Sequence, residues 1–394
     1  MSSRSFLLAG TLALVLLPSQ LPAAALPLIR TDWSASAAEA GWIVAAYQLG
    51  YALAVIAVLP LTDRVRSSRV IAAGALATSL ANVAFAFGAT DVISGSLLRI
   101  LSGFGLAGVY MPGVRLVAQH AAPGRRGFAV GAYVAAFYLG GSLSLFATGL
   151  LLEPFGWRGA ALALALIALV ALPLAIMSTR GLTEMQGTRA HLDIRVLRHG
   201  PLLRTIVAYG GHSWELFVVR AWLAAFLAAA LVARGSEITD ASATASQWAA
   251  VLLALGVVAV FLGGWASDRF GRARSAFAIA LASGAISLTF GALFDAPWTL
   301  VLLVGAVYGG LIGADSAVYS TAVTELAPAG RIGSAQAIQA VAGFGIGSLG
   351  PVVAGAALDL GTGWLGPFVV AGAVGIACAL PLLGARSRER HAAA

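Results

Sequence analysis

Three ionisable side chains lie within one long apolar run, at residues 204–231: His212, Glu215 and Arg220. His212 and Glu215 are three residues apart, so on a helix they share a face and the imidazole can contact the carboxylate. Arg220 follows five residues after Glu215, which places it on a different face of the helix. Groups of these types can exchange protons or bind an anion. Because ionisable groups are costly within a bilayer, they usually mark a substrate or proton path.

Asp315 is a second acid within an apolar run. It is surrounded by small residues, which let water or another helix approach, and Tyr319, four residues later, shares its face of a helix. A carboxyl group in such a setting can exchange protons near neutral pH. The sequence leaves a second interpretation open, in which Asp315 only neutralises Arg220 or Arg99 as a structural ion pair.

The composition is that of a membrane protein. Of the 394 residues, 60% are hydrophobic and only 10% are charged, whereas soluble domains contain about 25% charged residues. The net charge is +8, but the 24 basic residues are all arginines and lie mainly in short loops between apolar runs. This placement is typical of cytoplasmic loops that face anionic lipid, so no nucleic-acid partner is expected.

Motifs for catalysis, metals and cofactors are missing from the sequence. It contains no His-Glu-x-x-His, no Gly-x-Ser-x-Gly and no Cys-x-x-Cys, and Cys378 is the only cysteine. A formal G-x-G-x-x-G at 103–108 lies inside an apolar run, where small residues let helices approach, rather than between a strand and a helix. We therefore expect neither an enzyme nor a metal or cofactor.

Twelve apolar runs are long enough to cross a bilayer of about 30 Å. The first run begins like a secretory signal, but it continues to Ile29 and further runs follow, so a transmembrane helix is predicted there. The runs lie at residues 6–29, 39–62, 70–89, 93–117, 128–151, 158–179, 204–231, 247–266, 275–294, 298–323, 333–357 and 364–384.

Charged loops and tryptophans predict the orientation. Arginines cluster after the second, fourth and eighth runs and in the C-terminal tail, whereas the alternate loops hold mainly acids. Because cytoplasmic loops are rich in arginine, both termini are predicted to be cytoplasmic. Six tryptophans lie near the opposite ends of their runs, as an outer aromatic belt would require: Trp33, Trp42, Trp157, Trp248, Trp298 and Trp364.

The chain is predicted to be a duplication of six spans. Asp63-Arg64 recurs 205 residues later (268 − 63) as Asp268-Arg269, which is about half of the chain length. A repeat at this offset is typical of transporters built from two related halves. The predicted domains are an N-terminal six-helix bundle at 1–179, a charged cytoplasmic linker at 180–203 and a C-terminal six-helix bundle at 204–394.

Residues 264–274 match the signature loop of the major facilitator superfamily, G-x-x-x-D-R-x-G-R-x-R, at every fixed position. Arg99 followed by Gly103-x-Gly105 resembles the motif of that family's fourth helix, which is associated with proton-coupled transport. Two roles stay open for Arg99: a direct part in coupling, or a structural anchor for neighbouring backbone carbonyls. The His-x-Trp-Glu-Leu string at 212–216 is similar to a bacterial subgroup often labelled nitrate/nitrite or cyanate porters, although the glycine-rich nitrate signature is absent. The resemblance covers essentially the whole chain.

The resemblance implies an all-α integral membrane fold of about twelve transmembrane helices. Two pseudo-symmetric six-helix bundles would hold the substrate between them near the middle of the membrane, with helices 1, 4, 7 and 10 lining the site. The expected proton-coupling residues are His212, Glu215 and Asp315. The expected substrate-binding residues are polar groups within apolar runs: Gln20, Gln48, Arg99, Tyr110, Arg220 and Tyr319.

The signature loops are conformational latches in the family, where their carboxylates pair with arginines and helix N-termini that separate as the bundles rock. The first-half loop departs from the pattern, with Leu59 and Arg66 in place of two glycines, so its latch is expected to be the weaker one. The expected latch residues are Asp63, Arg64, Arg126, Gly264, Asp268, Arg269, Gly271, Arg272, Glu325 and Arg331.

The predicted function is secondary active transport of a small solute, coupled to protons and operating by alternating access. A small anion is the first choice, because Arg99 and Arg220 lie within spans. The expected setting is the cytoplasmic membrane of a bacterium, with the solute, protons and lipid as partners of a monomer. Two alternatives stay open. One is a proton-antiport pump for drugs or metabolites, although the Gly-Pro motif of such pumps is missing from span 5. The other is a transport-inactive sensor or scaffold, in which the energetic cost of charges within the membrane would serve no function.

Overall fold

A computed structural model describes residues 3–61, 65–121, 126–182 and 193–385 of the chain, and all regular elements in these ranges are helical. Short 3₁₀ helices occur at Ile194–Arg198, Gly291–Leu293 and Leu380–Ala385. The α-helices are α1 Ser3–Leu16, α2 Leu21–Ala24, α3 Leu26–Trp33, α4 Ala37–Leu61, α5 Ser67–Gly88, α6 Val92–His120, α7 Arg126–Ala168, α8 Ala171–Thr179, α9 Gly200–Ala233, α10 Ile238–Phe270, α11 Arg272–Phe290, α12 Trp298–Ala314, α13 Ser316–Leu326, α14 Ile332–Gly347, α15 Gly350–Asp359 and α16 Leu365–Ala379.

The helices confirm the predicted membrane architecture. Within the described ranges, ten helical segments are long and apolar enough to cross a membrane. The longest, Ala129–Thr179, has 51 residues, or roughly 77 Å at 1.5 Å per residue, which is more than twice the apolar thickness of a bilayer. It reverses at Gly156, whose φ of +62° favours glycine, so it makes two passes. Together with the broken first pass over α1–α3, the total is twelve.

Four of the passes in the described ranges are interrupted helices: the first, sixth, tenth and eleventh. The first is broken between Leu16 and Leu21, where Pro18 and Pro22 lack the N–H that would continue the helical hydrogen bonds. The sixth breaks at Leu169 and Val170, between α7 and α8. The tenth breaks at Asp315, between α12 and α13, and the eleventh breaks between Gly347 and Gly350. Breaks of this kind at membrane depth are tolerated where protein or water satisfies the freed backbone groups, so they identify places where polar groups can collect.

The chain forms two compact units. Unit 1 comprises Met1–Ala35, Ala46–Arg189 and Leu227–Ala250. Unit 2 comprises Ser36–Ala45, Ala190–Phe226 and Val251–Ala394. The units follow the two halves of the sequence except for two exchanged segments, Ser36–Ala45 and Leu227–Ala250. The predicted domain bounds at 179 and 204 stay predictions.

Small residues bring helices of unit 1 into close contact. A Cβ on Gly74 of α5 would come within 2.6 Å of the Gly105 carbonyl oxygen of α6, and one on Gly103 would collide with the backbone of Tyr47. Only glycine permits this approach of backbones. The glycines at 103–108 therefore pack helices, as expected for a motif inside a span.

The N-terminus of α4 is capped from two sides within unit 2. The two carboxylate oxygens of Asp359, at the end of α15, each accept one hydrogen bond at 2.8 Å, from the N–H groups of Ala37 and Ala38. Ser36 and Glu39 add a capping box, in which each side chain accepts from the other residue's backbone N–H. Elsewhere, in unit 1, the Ser94 N–H donates to Asp91 at the start of α6 and lowers the pKa of that carboxyl below its usual value.

We expect Asp359→Ala to destabilise the protein by about 1 kcal/mol, because it removes the acceptors of two N-terminal amides and a favourable charge at a helix N-terminus. Asp359→Asn keeps one oxygen acceptor and should cost less. The thermal unfolding midpoint of the purified protein measures both effects. The control is Asp295→Ala, which removes an exposed acid from the loop before α12. An equal midpoint for Asp359→Ala and Asp295→Ala would contradict the assigned cap.

Candidate functional site

The break between α12 and α13 places Asp315 against His212 of α9, inside unit 2. Nδ1 of His212 lies 2.8 Å from Oδ1 of Asp315, and the other ring nitrogen, Nε2, lies 2.8 Å from the Ser316 hydroxyl. His212 and Asp315 are 5% and 2% exposed. Each ring nitrogen of His212 thus lies within 2.8 Å of an oxygen atom, one from a carboxylate and one from a hydroxyl.

Glu215, one turn after His212, has a separate set of partners. Its Oε1 accepts hydrogen bonds from the hydroxyls of Ser283 on α11, at 2.7 Å, and Tyr308 on α12, at 3.1 Å. Its side chain is buried at 3% exposure. The sequence predicted that His212 could contact Glu215, but the imidazole instead forms its close contact with Asp315, because the α12–α13 break presents that carboxylate to it.

Ser283 and Tyr308 were missed by the sequence analysis. They lie 68 and 93 residues from Glu215, in apolar helices that contain other hydroxyl-bearing residues as well. Such residues are common in membrane helices as contacts between helices. The signal available in the sequence was their presence in spans 9 and 10, but nothing in their spacing indicates that both face the same carboxyl oxygen.

Aromatic rings enclose the His212–Asp315 pair. The rings of Tyr209 and Tyr319 lie 5.8 and 5.6 Å from the imidazole, measured between centroids, and 5.9 Å from each other. Tyr319 is buried on α13, one turn after Asp315 as the sequence predicted. Two tyrosine rings thus flank the imidazole, and both members of the pair are shielded from solvent.

Arg99 of unit 1 is held by backbone and ring contacts. Its guanidinium donates to the Ser19 carbonyl at 2.6 Å and to the Asn82 side chain at 3.5 Å, and it lies 4.3 Å from the centroid of the Tyr47 ring. Ser19 belongs to the break between α1 and α2. These are the contacts of a structural anchor for a freed carbonyl, which is the second role that the sequence left open for Arg99.

The other predicted substrate-binding residues lie on several helices. The Oε1 atoms of Gln20 and Gln48, both in unit 1, are buried without a hydrogen-bond partner among the described residues. Tyr110 of unit 1 stacks on Tyr133, with ring centroids 6.1 Å apart. Arg220 lies on α9 of unit 2 and is partly exposed. Unfilled acceptors such as the two glutamine oxygens are suited to a ligand that donates hydrogen bonds.

The second signature loop forms an ion-pair network within unit 2. Arg272 pairs with Asp268 and, at 2.9 Å, with Glu325 at the end of α13. Gly271 allows the turn between α10 and α11 with a φ of +91°. Arg331 pairs with Asp193 at 3.3 Å. The network therefore brings together Asp268, Arg272 and Glu325, three of the predicted latch residues.

The structure describes fewer contacts for the remaining predicted latch residues. Arg269 lies 5.8 Å from the ring centroid of its neighbour Phe270, and Gly264 is partly buried near the end of α10. Arg126 begins α7, but its side chain is outside the described part of the structure. Asp63 and Arg64 lie outside the described residues.

Comparison with known proteins identifies the family. Residues 8–236 and 216–394 both match the model of the Major Facilitator Superfamily. The chain is 31% identical over 369 residues to the probable transporter SCO4007 of Streptomyces coelicolor, covering 90% of this chain and 80% of that protein. It is 29% identical over 347 residues to the probable nitrate/nitrite transporter NarK2 of Mycobacterium tuberculosis, covering 83% and 82% of the two chains.

Solved structures show the same fold. A crystal structure of a D-xylose–proton symporter superposes with a TM-score of 0.75 at 18% sequence identity, covering 96% of each chain. The protein is thus a multi-pass membrane protein and, like the relatives it matches, a transporter and not an enzyme. This result confirms the resemblance seen in its signature loop and in its His-x-Trp-Glu-Leu string. The chain belongs to the major facilitator superfamily.

Proposed function

We propose that the protein is a proton-coupled transporter of a small anion in the inner membrane of a bacterium. It works as a monomer, by alternating access, with both termini in the cytoplasm. The observation that carries the proposal is the pair of buried carboxyl groups in unit 2, Glu215 and Asp315, each with its own set of polar partners.

The proton is assigned to these two carboxyl groups and to His212. A lone carboxylate inside a membrane protein is costly, so a carboxyl without a cationic partner favours its neutral, protonated form. Glu215 is such a group, because its described hydrogen bonds come from two neutral hydroxyls. Asp315 and His212 can share a proton along their 2.8 Å contact. Protonation of Glu215 and the state of the His212–Asp315 pair then change together as the site gains or loses water.

The anion is assigned to Arg220. Its guanidinium is always protonated, and its planar fork suits oxyanions such as nitrate or a carboxylate. Asp315 pairs with His212, and Glu215 favours its neutral, protonated form, so neither carboxyl needs Arg220 for neutralisation. The relative named as a probable nitrate/nitrite transporter supports an anion as the substrate class. Gln20, Gln48, Tyr110 and Tyr319 are assigned to substrate binding, while Arg99 anchors the broken first helix.

The loop network is assigned to conformational control. Asp268, Arg272 and Glu325 hold the end of α10, the start of α11 and the end of α13 together. Such exposed pairs contribute little stability singly, so they can be broken and remade at low cost. Gly264, Arg269 and Gly271 shape the same loop, and Arg331 ties the chain before Ile194–Arg198 to the start of α14. Asp63, Arg64 and Arg126 are assigned the corresponding role in the first half.

Counterflow in proteoliposomes tests the proposal. Vesicles loaded with nitrate, nitrite, cyanate or a small carboxylate are diluted into the same labelled anion, with and without an inside-alkaline pH gradient. We expect at least one anion to exchange and the pH gradient to drive its accumulation, whereas a sodium gradient does not. Pumping of lipophilic cations without anion exchange would favour the efflux alternative. Exchange of no solute by a correctly folded protein would favour the sensor or scaffold.

A further inference from the structure

We propose that Ser283 and Tyr308 are positioning residues for Glu215: they hold Oε1 as a hydrogen-bond acceptor, so that Oε2 is the oxygen that gains and loses the proton. The inference rests on the proposed proton coupling and deepens it. It assigns a role to two residues that come from α11 and α12.

The hydrogen-bond geometry around Oε1 carries the first step. The hydroxyls of Ser283 and Tyr308 both contact this one oxygen, at 2.7 and 3.1 Å. A carboxyl oxygen that carries a proton can donate it to only one of two hydroxyls. An unprotonated carboxyl oxygen has two lone pairs and can accept from both. A protonated Oε1 could donate to one hydroxyl and accept from the other, but in the structure both hydroxyls donate to Oε1. This direction of the two hydrogen bonds leaves the proton of the neutral acid on Oε2.

The second observation is the space around Oε2. A Cβ at Gly375 of α16 would come within 2.9 Å of Oε2, so a glycine at this position leaves the space that this oxygen occupies. The other titratable groups that interact with the carboxyl are His212 on α9, Asp315 at the α12–α13 break, Tyr308 on α12 and Tyr319 on α13. The nearby side of α11 contributes the neutral Ser283 hydroxyl. Oε2 thus lies beside α16, while Ser283 and Tyr308 contact the other oxygen.

The same two hydroxyls act on the charged form. When the proton leaves Oε2, Ser283 and Tyr308 still donate to the carboxylate, and hydrogen bonds to a charged acceptor are stronger than those to a neutral one. They therefore fix the rotamer of Glu215 in both states and lower the cost of the buried negative charge. Removing either hydroxyl should make loss of the proton harder, so that deprotonation occurs at higher pH.

Infrared difference spectroscopy tests the inference on the purified full-length protein in liposomes, without any substrate. Glu215→Gln identifies the carboxylic acid C=O band of Glu215, and titration of that band gives its midpoint. Ser283→Ala and Tyr308→Phe should each move the C=O stretch to higher wavenumber and raise the midpoint by about one pH unit. Ser283→Thr keeps a hydroxyl and should restore both values.

Two controls separate positioning from general packing. Ser275→Ala removes another buried hydroxyl from α11, about two turns from Ser283. Tyr133→Phe removes a buried hydroxyl that donates to the Val109 carbonyl in unit 1. Neither variant should change the Glu215 band. Thermal unfolding confirms that each protein is folded, and if Tyr308→Phe does not fold, the Ser283→Ala and Ser283→Thr pair decides.

The outcomes also separate this inference from the proposed function. An unshifted band in Ser283→Ala, or equal shifts in the Ser275→Ala control, would overturn the positioning role. If Glu215→Gln removes no carboxylic acid band, the assignment of a proton to Oε2 is overturned. If the Glu215 band is shifted in Ser283→Ala but the wild-type protein does not respond to pH gradients in the counterflow assay, the positioning role stands and the proton coupling is overturned.

Discussion

Glu215→Gln is expected to abolish proton-driven accumulation of the substrate while leaving its exchange across the membrane measurable. Glutamine resembles the protonated acid in shape and can still accept from Ser283 and Tyr308, but it cannot release a proton. With one proton per solute and a gradient of one pH unit, the wild-type protein should concentrate its substrate about tenfold. The variant should reach equal concentrations on both sides.

Asp315→Asn should have the same consequence, because it removes the acid that shares a proton with His212. The measurement is uptake by proteoliposomes with an imposed pH gradient, set against exchange without one. Glu237→Gln is the matched control, since Glu237 is an exposed acid in the loop between α9 and α10. If both Glu215→Gln and Asp315→Asn still concentrate substrate, the coupling site is elsewhere.

Arg220→Lys is expected to weaken anion transport about 10- to 100-fold, and Arg220→Ala should nearly eliminate it in a protein that still folds. The first value follows from loss of a charge-assisted pair of hydrogen bonds, which contributes about 1.5–3 kcal/mol. Lysine keeps the charge but not the planar fork. Initial rates of anion counterflow measure the loss, and Arg234→Ala is the control at the end of the same helix.

A structural role for Arg220 predicts a different result. If Arg220 neutralised Asp315 or Glu215, its removal would strand a buried carboxylate and destabilise the fold. Arg220→Ala combined with Asp315→Ala or with Glu215→Ala would then recover expression and thermal stability. The partners seen for the two carboxylates, His212 for one and hydroxyls for the other, lead us to expect no such recovery.

The membrane fold could be predicted because its signals are local. Apolar length and the loop at 264–274 are each contained in a short stretch of sequence, and the structure and the family match confirm the fold that they predict. The orientation predicted from the arginine-rich loops stays a prediction. The reversal at Gly156 was predicted from the gap between two apolar runs. The interruption at Asp315 was not predicted, because Ala-Asp-Ser contains neither proline nor glycine and the break depends on the surrounding helices.

The candidate site was predicted in its residues but not in its pairing. His212, Glu215 and Asp315 were recognisable because ionisable groups are rare in apolar runs. Their partners depend on how α9, α11, α12 and α13 pack, over separations of 68 to 104 residues. A single sequence contains no direct record of such contacts. The same limit explains why Ser283 and Tyr308 were not recognised and why the role of Arg99 as an anchor stayed open.

The hydroxyl environment of Glu215 also has an electrical consequence. A protonated Glu215 is neutral, and a His212–Asp315 ion pair sums to zero, so these three side chains then carry no net charge. The membrane voltage exerts no net force on such a set. Loss of the Glu215 proton adds one negative charge, for which movement across the full voltage is worth about 2.3 kcal/mol per 100 mV. These three side chains therefore contribute to the voltage sensitivity of a transport step only when Glu215 is deprotonated.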